Sequence, residues 1–165
     1  MKNWFKKKGN ILTLIILAFV LWKQVPILIT NLKMSGETIH SKEYEIIGSQ
    51  ETLTFPPIKG RAMAIFWATW CGPCKLEMER LKESVSDGKI PKDLIFAINP
   101  FESAETSKEF IRKNQFPFQF IDASEVANRI NIMATPTTLL IEDQKIISLS
   151  SGLSIVGIWR AESFL

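Results

Sequence analysis

Two cysteines, Cys71 and Cys74, are the only thiols in the 165 residues, and two residues separate them in Trp70-Cys71-Gly72-Pro73-Cys74-Lys75. The apolar run Met63-Ala64-Ile65-Phe66-Trp67-Ala68-Thr69 leads in as a strand, and an amphipathic stretch over 73–85 leads out as a helix. Cys71 therefore falls at a helix N-terminus, where unpaired amides and the helix dipole favour the thiolate. Pro73 suits the first turn because it has no N–H to leave unpaired. Cys74 lies one turn further in, within reach of a mixed disulfide formed at Cys71. An exposed nucleophile with a resolving thiol at bonding distance is what dithiol–disulfide exchange requires.

Other uses of the pair fit less well. A disulfide closing so short a loop constrains the unfolded chain little. A closed zinc site needs more soft ligands than one histidine, His40, and no third cysteine can supply. Two thiolates could hold Cu(I) in a metallochaperone. Against that, His40 is remote, Met78 lies on the helix side and no third soft ligand flanks the motif. No metal and no organic cofactor is expected.

The elements that must position the cysteines occupy about three quarters of the chain. Residues 1–33 carry six of the 20 basic side chains and no acid, leaving 14 basic against 17 acidic residues over 34–165. The basic balance thus belongs to the N-terminus and gives no reason to expect nucleic acid as a partner. Residues 11–22 are apolar and uncharged, follow Lys6-Lys7-Lys8, and are succeeded by renewed apolar character at Val25. No small-x-small cleavage pattern follows. The reading is an uncleaved signal-anchor over 1–32 that contacts membrane lipid, with a cleaved signal peptide as the alternative. Lysine placement puts the N-terminus inside and the domain outside, where disulfide chemistry is permitted. Residues 33–43 read as a polar tether containing a solvated His40, and 44–165 as one domain.

Within that domain, 44–47 and 52–55 read as a hairpin, 63–67 as a strand buried on both faces, and 94–99 as a second such strand. Ser103 can cap a helix through Asn114, and 116–121 alternates as a strand. A helix over 124–130 follows, then strands 137–141 and 146–150 joined by Glu142-Asp143-Gln144-Lys145, and a last helix capped at Ser154. Trp159 reads as core or interface.

The segment Phe66-Trp67-Ala68-Thr69-Trp70-Cys71-Gly72-Pro73-Cys74 resembles the active site of the thioredoxin superfamily. Its Ala-Thr-Trp form is typical of the membrane-tethered TlpA/ResA-like and cytochrome c maturation reductases. The C-terminal part is most similar to protein disulfide oxidoreductases related to suppressor-of-copper-sensitivity D. The resemblance runs from about Tyr44 to the C-terminus. It implies an α/β thioredoxin-like fold: a central mixed sheet flanked by helices, an N-terminal hairpin, and an extra strand and helix between Cys71 and Pro136. It further implies that Pro136, in Thr135-Pro136-Thr137, has a cis peptide bond and lies against the disulfide. Read from the residues alone, Pro136 is equally an ordinary trans proline opening a strand.

The sequence departs from plain thioredoxins at Ile65, where they carry a buried, proton-transferring Asp. TlpA/ResA-like reductases instead have a Glu at the place of Glu77, held to move protons for the buried thiol; the alternative is a solvated helix charge like Glu79 and Glu83. The activity implied is reduction of disulfides in partner proteins, with Cys71, Cys74 and Glu77 catalytic. Trp70, Gly72, Pro73, Thr135 and Pro136 would bind substrate, and a membrane dithiol carrier would return electrons. Oxidase or isomerase action is the enzymatic alternative, because Thr before the proline also occurs in extracytoplasmic isomerases.

Overall fold

A computed structural model describes residues 35–153 and 155–165, together with Ile11, Thr13, Ala18 and Phe19, which are helical. The chain divides into two units, Met1–Lys33 and Met34–Leu165. The expected signal-anchor falls almost wholly on residues outside those described. Among the described residues no helix is long and apolar enough to cross a membrane.

In the second unit β1 (Lys42–Glu45) and β2 (Thr52–Phe55) form an antiparallel hairpin. β3 (Arg61–Phe66) runs into α1 (Gly72–Ser86), then β4 (Ile95–Ile98), α2 (Ala104–Asn114), β5 (Gln119–Ile121) and α3 (Ser124–Arg129). β6 (Thr137–Glu142), β7 (Lys145–Ser151) and α4 (Ile155–Phe164) complete it. The five-stranded sheet has the order β5-β4-β3-β6-β7; β3, β4 and β5 are parallel, β6 runs against them, and β7 runs against β6. α2 and β5 fill the stretch where the extra helix and strand were expected.

β3 is central, and its alternation separates two cores. Ala62, Ala64 and Phe66 join Val126 and Ala127 of α3 and the hairpin's Tyr44 and Phe55. Met63, Ile65 and Trp67 join Cys71, Cys74, Met78 and Leu81 at α1 with Ile158 and Ala161 of α4. Trp67 is fully buried, its ring 4.7 Å from Phe110 and 5.6 Å from Phe120. Trp67→Ala should lower unfolding stability by about 3–5 kcal/mol, the usual cost of an aromatic-sized cavity. Denaturant melts of the two proteins check this, and an unchanged midpoint would contradict it.

Both edges of the sheet are covered by backbone. From Gly36 the stretch expected as a tether runs beside β7: the Gly36 N–H bonds the Ile146 carbonyl at 2.7 Å, and Ile39 is buried. His40 is exposed, as expected. At the other edge Ile46 leaves the hairpin to bridge Ile121, and the Ile47 N–H donates to the Phe120 carbonyl at 2.8 Å. Covered edges cannot template pairing with another chain.

Two expectations are corrected. The strand expected over 116–121 is confined to Gln119–Ile121. Pro117 has no N–H for a ladder, and Phe116 and Phe118 stack on each other in the core with ring centroids 5.7 Å apart. Of the two places expected for Trp159, the core is ruled out: it is 64% exposed, while Ile158 and Ala161 of α4 are buried in the core.

Candidate active site

Cys71 is the N-cap of α1. Its backbone is extended (φ −85°, ψ 97°), and its Sγ accepts the Cys74 amide N–H at 3.2 Å. Sulfur thus occupies the place usually held by a Ser or Asp oxygen at a helix start, and the donor would stabilise the thiolate once the pair is reduced. Pro73 lies in the first turn, as its missing N–H allows. Cys71 and Cys74 are joined as a disulfide with Cα atoms 5.3 Å apart. Cys71 is 6% exposed and Cys74 1%, while Gly72 and Pro73 beside them are exposed and Trp70 is 68% exposed. The disulfide therefore lies at the base of a surface rim, Cys71 outermost.

The other expected site residues reach the same end of the sheet through the β3–β6 ladder. Phe66 pairs with Thr137, so Thr135 and Pro136 stand opposite the segment that climbs from β3 to Cys71. The Thr135–Pro136 peptide is cis, as the resemblance implies; a second cis bond, Phe55–Pro56, was not foreseen. Pro136 is buried and Thr135 half-buried.

Glu77 is 1% exposed, unlike the exposed Glu83 and half-buried Glu79 on the same helix. Its Oε1 accepts the Thr138 hydroxyl at 2.8 Å. Thr138 is the cross-strand partner of Ile65. The carboxyl thus enters the core beside the position where plain thioredoxins place their Asp, reached from the helix instead of the strand. A solvated surface charge is excluded by that burial.

Sequence reasoning missed Glu102. Its Oε2 accepts the Thr69 N–H at 2.6 Å and Asn99 Nδ2 at 2.8 Å, and its Oε1 accepts the Thr69 hydroxyl. Burial alone would push this carboxyl up. Hydrogen bonds from the Thr69 hydroxyl, the Thr69 amide and Asn99 favour the charged form and together hold it below the usual carboxylate range. A depressed folded-state value means stability that is present above the unfolded value and lost as pH falls through the folded one. Wild type should therefore unfold at a higher temperature than Glu102→Gln at neutral pH, with the gap closing in acid below the ordinary carboxylate range. Melts from pH 7 to pH 3 read this directly, and a gap independent of pH would contradict it. Nothing local in Pro100-Phe101-Glu102-Ser103 signals the role, since Thr69 lies 33 residues away.

Among the described residues no cluster of three or more His, Cys, Asp or Glu is arranged to hold a metal ion.

A cysteine pair capping the helix after the central strand, with a cis proline opening the neighbouring antiparallel strand, defines a thioredoxin-like fold. Residues 38–150 match the AhpC/TSA family, and the chain belongs to it. Over 108 residues it is 32% identical to the thioredoxin-like protein YneN of Bacillus subtilis (strain 168), covering 60% of this chain and 61% of that one. Over 98 residues it is 30% identical to the thiol-disulfide oxidoreductase ResA of Bacillus thuringiensis subsp. konkukian (strain 97-27), covering 57% of each. The chain spans about three fifths of the length of these curated relatives. The crystal structure of StoA from Bacillus subtilis superposes with a TM-score of 0.64 at 18% identity, over 77% of this chain and 99% of that one. At that identity the likeness is one of fold.

Proposed function

We propose that this chain is a membrane-anchored, extracytoplasmic thiol:disulfide oxidoreductase that reduces disulfides in partner proteins. The observation that carries the reading is the bond from the Cys74 amide to Cys71 Sγ at the mouth of α1, beneath the exposed Trp70. The names of the relatives ResA and YneN support it.

In the reaction the Cys71 thiolate attacks one sulfur of a substrate disulfide. The substrate bond breaks, the departing sulfur takes a proton, and a mixed disulfide links Cys71 to the substrate. Cys74 gives its proton to the Glu77 carboxylate and attacks Cys71 Sγ. The second substrate sulfur leaves as a thiolate, and two electrons have passed from the cysteine pair to the substrate. The Cys71–Cys74 disulfide of this structure is the spent form. A membrane dithiol carrier reduces it for the next cycle. Trp70, Gly72 and Pro73 on one side and Thr135 and Pro136 on the other form the docking rim.

Residues 1–32 anchor the chain as a single pass in the bacterial inner membrane, and the domain over 44–165 faces the periplasm or cell exterior. The lysine cluster before the apolar run supports that orientation.

A redox titration of the pair tests the direction of electron flow. The expected value is near the roughly −270 mV of thioredoxin, and one near the roughly −120 mV of the oxidant DsbA would make this an oxidase. Stoichiometric copper surviving chelation, without insulin reduction, would replace the enzyme with a metallochaperone.

A further inference from the structure

We propose that Glu102 is a positioning residue for Cys71, acting through Thr69. The proposal rests on the disulfide-exchange reading and concerns how the nucleophile is presented.

Cys71 stands at the end of a segment that has left the sheet. The ladder between β3 and β4 ends at Phe66, and the Trp67 N–H makes a last bond to the Ile98 carbonyl at 3.0 Å. Beyond it the chain must cross to the mouth of α1. Glu102 grips that crossing at Thr69, two residues before the nucleophile, with one oxygen on the backbone amide and the other on the side-chain hydroxyl. A two-point grip fixes both the position and the rotation of a peptide unit, whereas a single bond leaves rotation free. The grip is rooted in rigid structure. Asn99, buried at the end of β4, donates to Glu102 and to Ser107 Oγ of α2 at 3.2 Å, and its Oδ1 accepts the Phe101 N–H at 3.1 Å. A second contact ties the same two loops, with the Trp70 and Phe101 rings 6.2 Å apart.

Cys71 Sγ meets the Cys74 amide only if the segment delivers it to the N-cap with the geometry seen here. Releasing Thr69 lets the sulfur drift from that donor, which weakens the preference for thiolate without touching α1. Glu102 is thereby distinct from Glu77: it takes no proton in the reaction and exchanges no bond with substrate.

The readout is the pH dependence of iodoacetamide alkylation of the reduced full-length protein, which reports the Cys71 thiolate, alongside insulin reduction. Glu102→Ala should move the alkylation midpoint up by about one pH unit, a tenfold loss of thiolate below it, and slow insulin reduction by about tenfold. Glu102→Gln should restore both to within about twofold, because the carboxamide oxygen can accept the Thr69 N–H while its NH2 donates to a rotated Thr69 hydroxyl. Thr69→Val, which removes only the hydroxyl, should give a shift of the same sign and about half the size, and it decides the matter if Glu102→Ala fails to fold.

A folded Glu102→Ala protein with the wild-type alkylation profile would overturn the proposal, as would an unshifted Thr69→Val. A Glu102→Gln protein as impaired as Glu102→Ala would also overturn it, by showing that charge and not placement matters. Should the alkylation shift occur in a chain whose wild type reduces no disulfide, the positioning role stands and the enzymatic reading fails.

Discussion

Substituting Cys71 with alanine is expected to bring reduction of protein disulfides down to the uncatalysed rate, at little cost to the fold. No other described residue can take its place. Cys74 is 1% exposed and lies a turn deeper, shielded from a macromolecular disulfide by the rim and by Cys71 itself. The crosslink lost with Cys71 closes so small a loop that its removal should cost at most about 2 kcal/mol of stability. The reciprocal change, Cys74→Ala, leaves the first attack intact and removes the second. That protein should accumulate a mixed disulfide with its partner, visible as a band that collapses on adding dithiothreitol. Insulin turbidity for Cys71→Ala and non-reducing gels for Cys74→Ala read the two outcomes. Turnover surviving in Cys71→Ala would remove the mechanism altogether.

Glu77→Gln is expected to slow resolution of the mixed disulfide by about a hundredfold near neutral pH, the low end of what a positioned proton acceptor contributes. The amide oxygen can still accept the Thr138 hydroxyl, so the packing of α1 on the sheet is preserved and the loss reports proton transfer. The signature is in the pH profile. As pH rises, hydroxide takes over from the missing carboxylate in deprotonating the Cys74 thiol, and the variant should approach wild type in alkali. Stopped-flow release of product from a preformed mixed disulfide isolates this step. Equal rates at pH 7, or a deficit that persists in alkali, would reduce Glu77 to a structural role.

Much of this site was legible because it is local. Cys71, Gly72, Pro73 and Cys74 carry their chemistry in their spacing, and the apolar run before them had to end where a helix begins. The resemblance brought in Pro136 and Glu77 with roles attached, but burial turned Glu77 from a choice between two readings into a carboxyl inside the core. Glu102 was invisible for the opposite reason. Its partner Thr69 is brought to it by the parallel pairing of β3 with β4, and nothing in its neighbours marks it. The coverage of β7 by residues 36–39 was hidden likewise, since a polar stretch with Gly36 reads as a linker until an edge strand is found beside it.

By itself the sequence determined the reactive pair, the helix it caps, the order of the strands along the chain and the charge asymmetry of the N-terminus. Each of these depends on neighbours within a turn or a strand. Tertiary structure decided which distant side chains meet that pair: Thr138 under Glu77, Glu102 on Thr69, Pro136 across from the exit of β3. The physical reason is sheet order. The register that sets β6 and β4 on either side of β3 emerges only when two hydrophobic faces are buried at once, and no local pattern of residues encodes it.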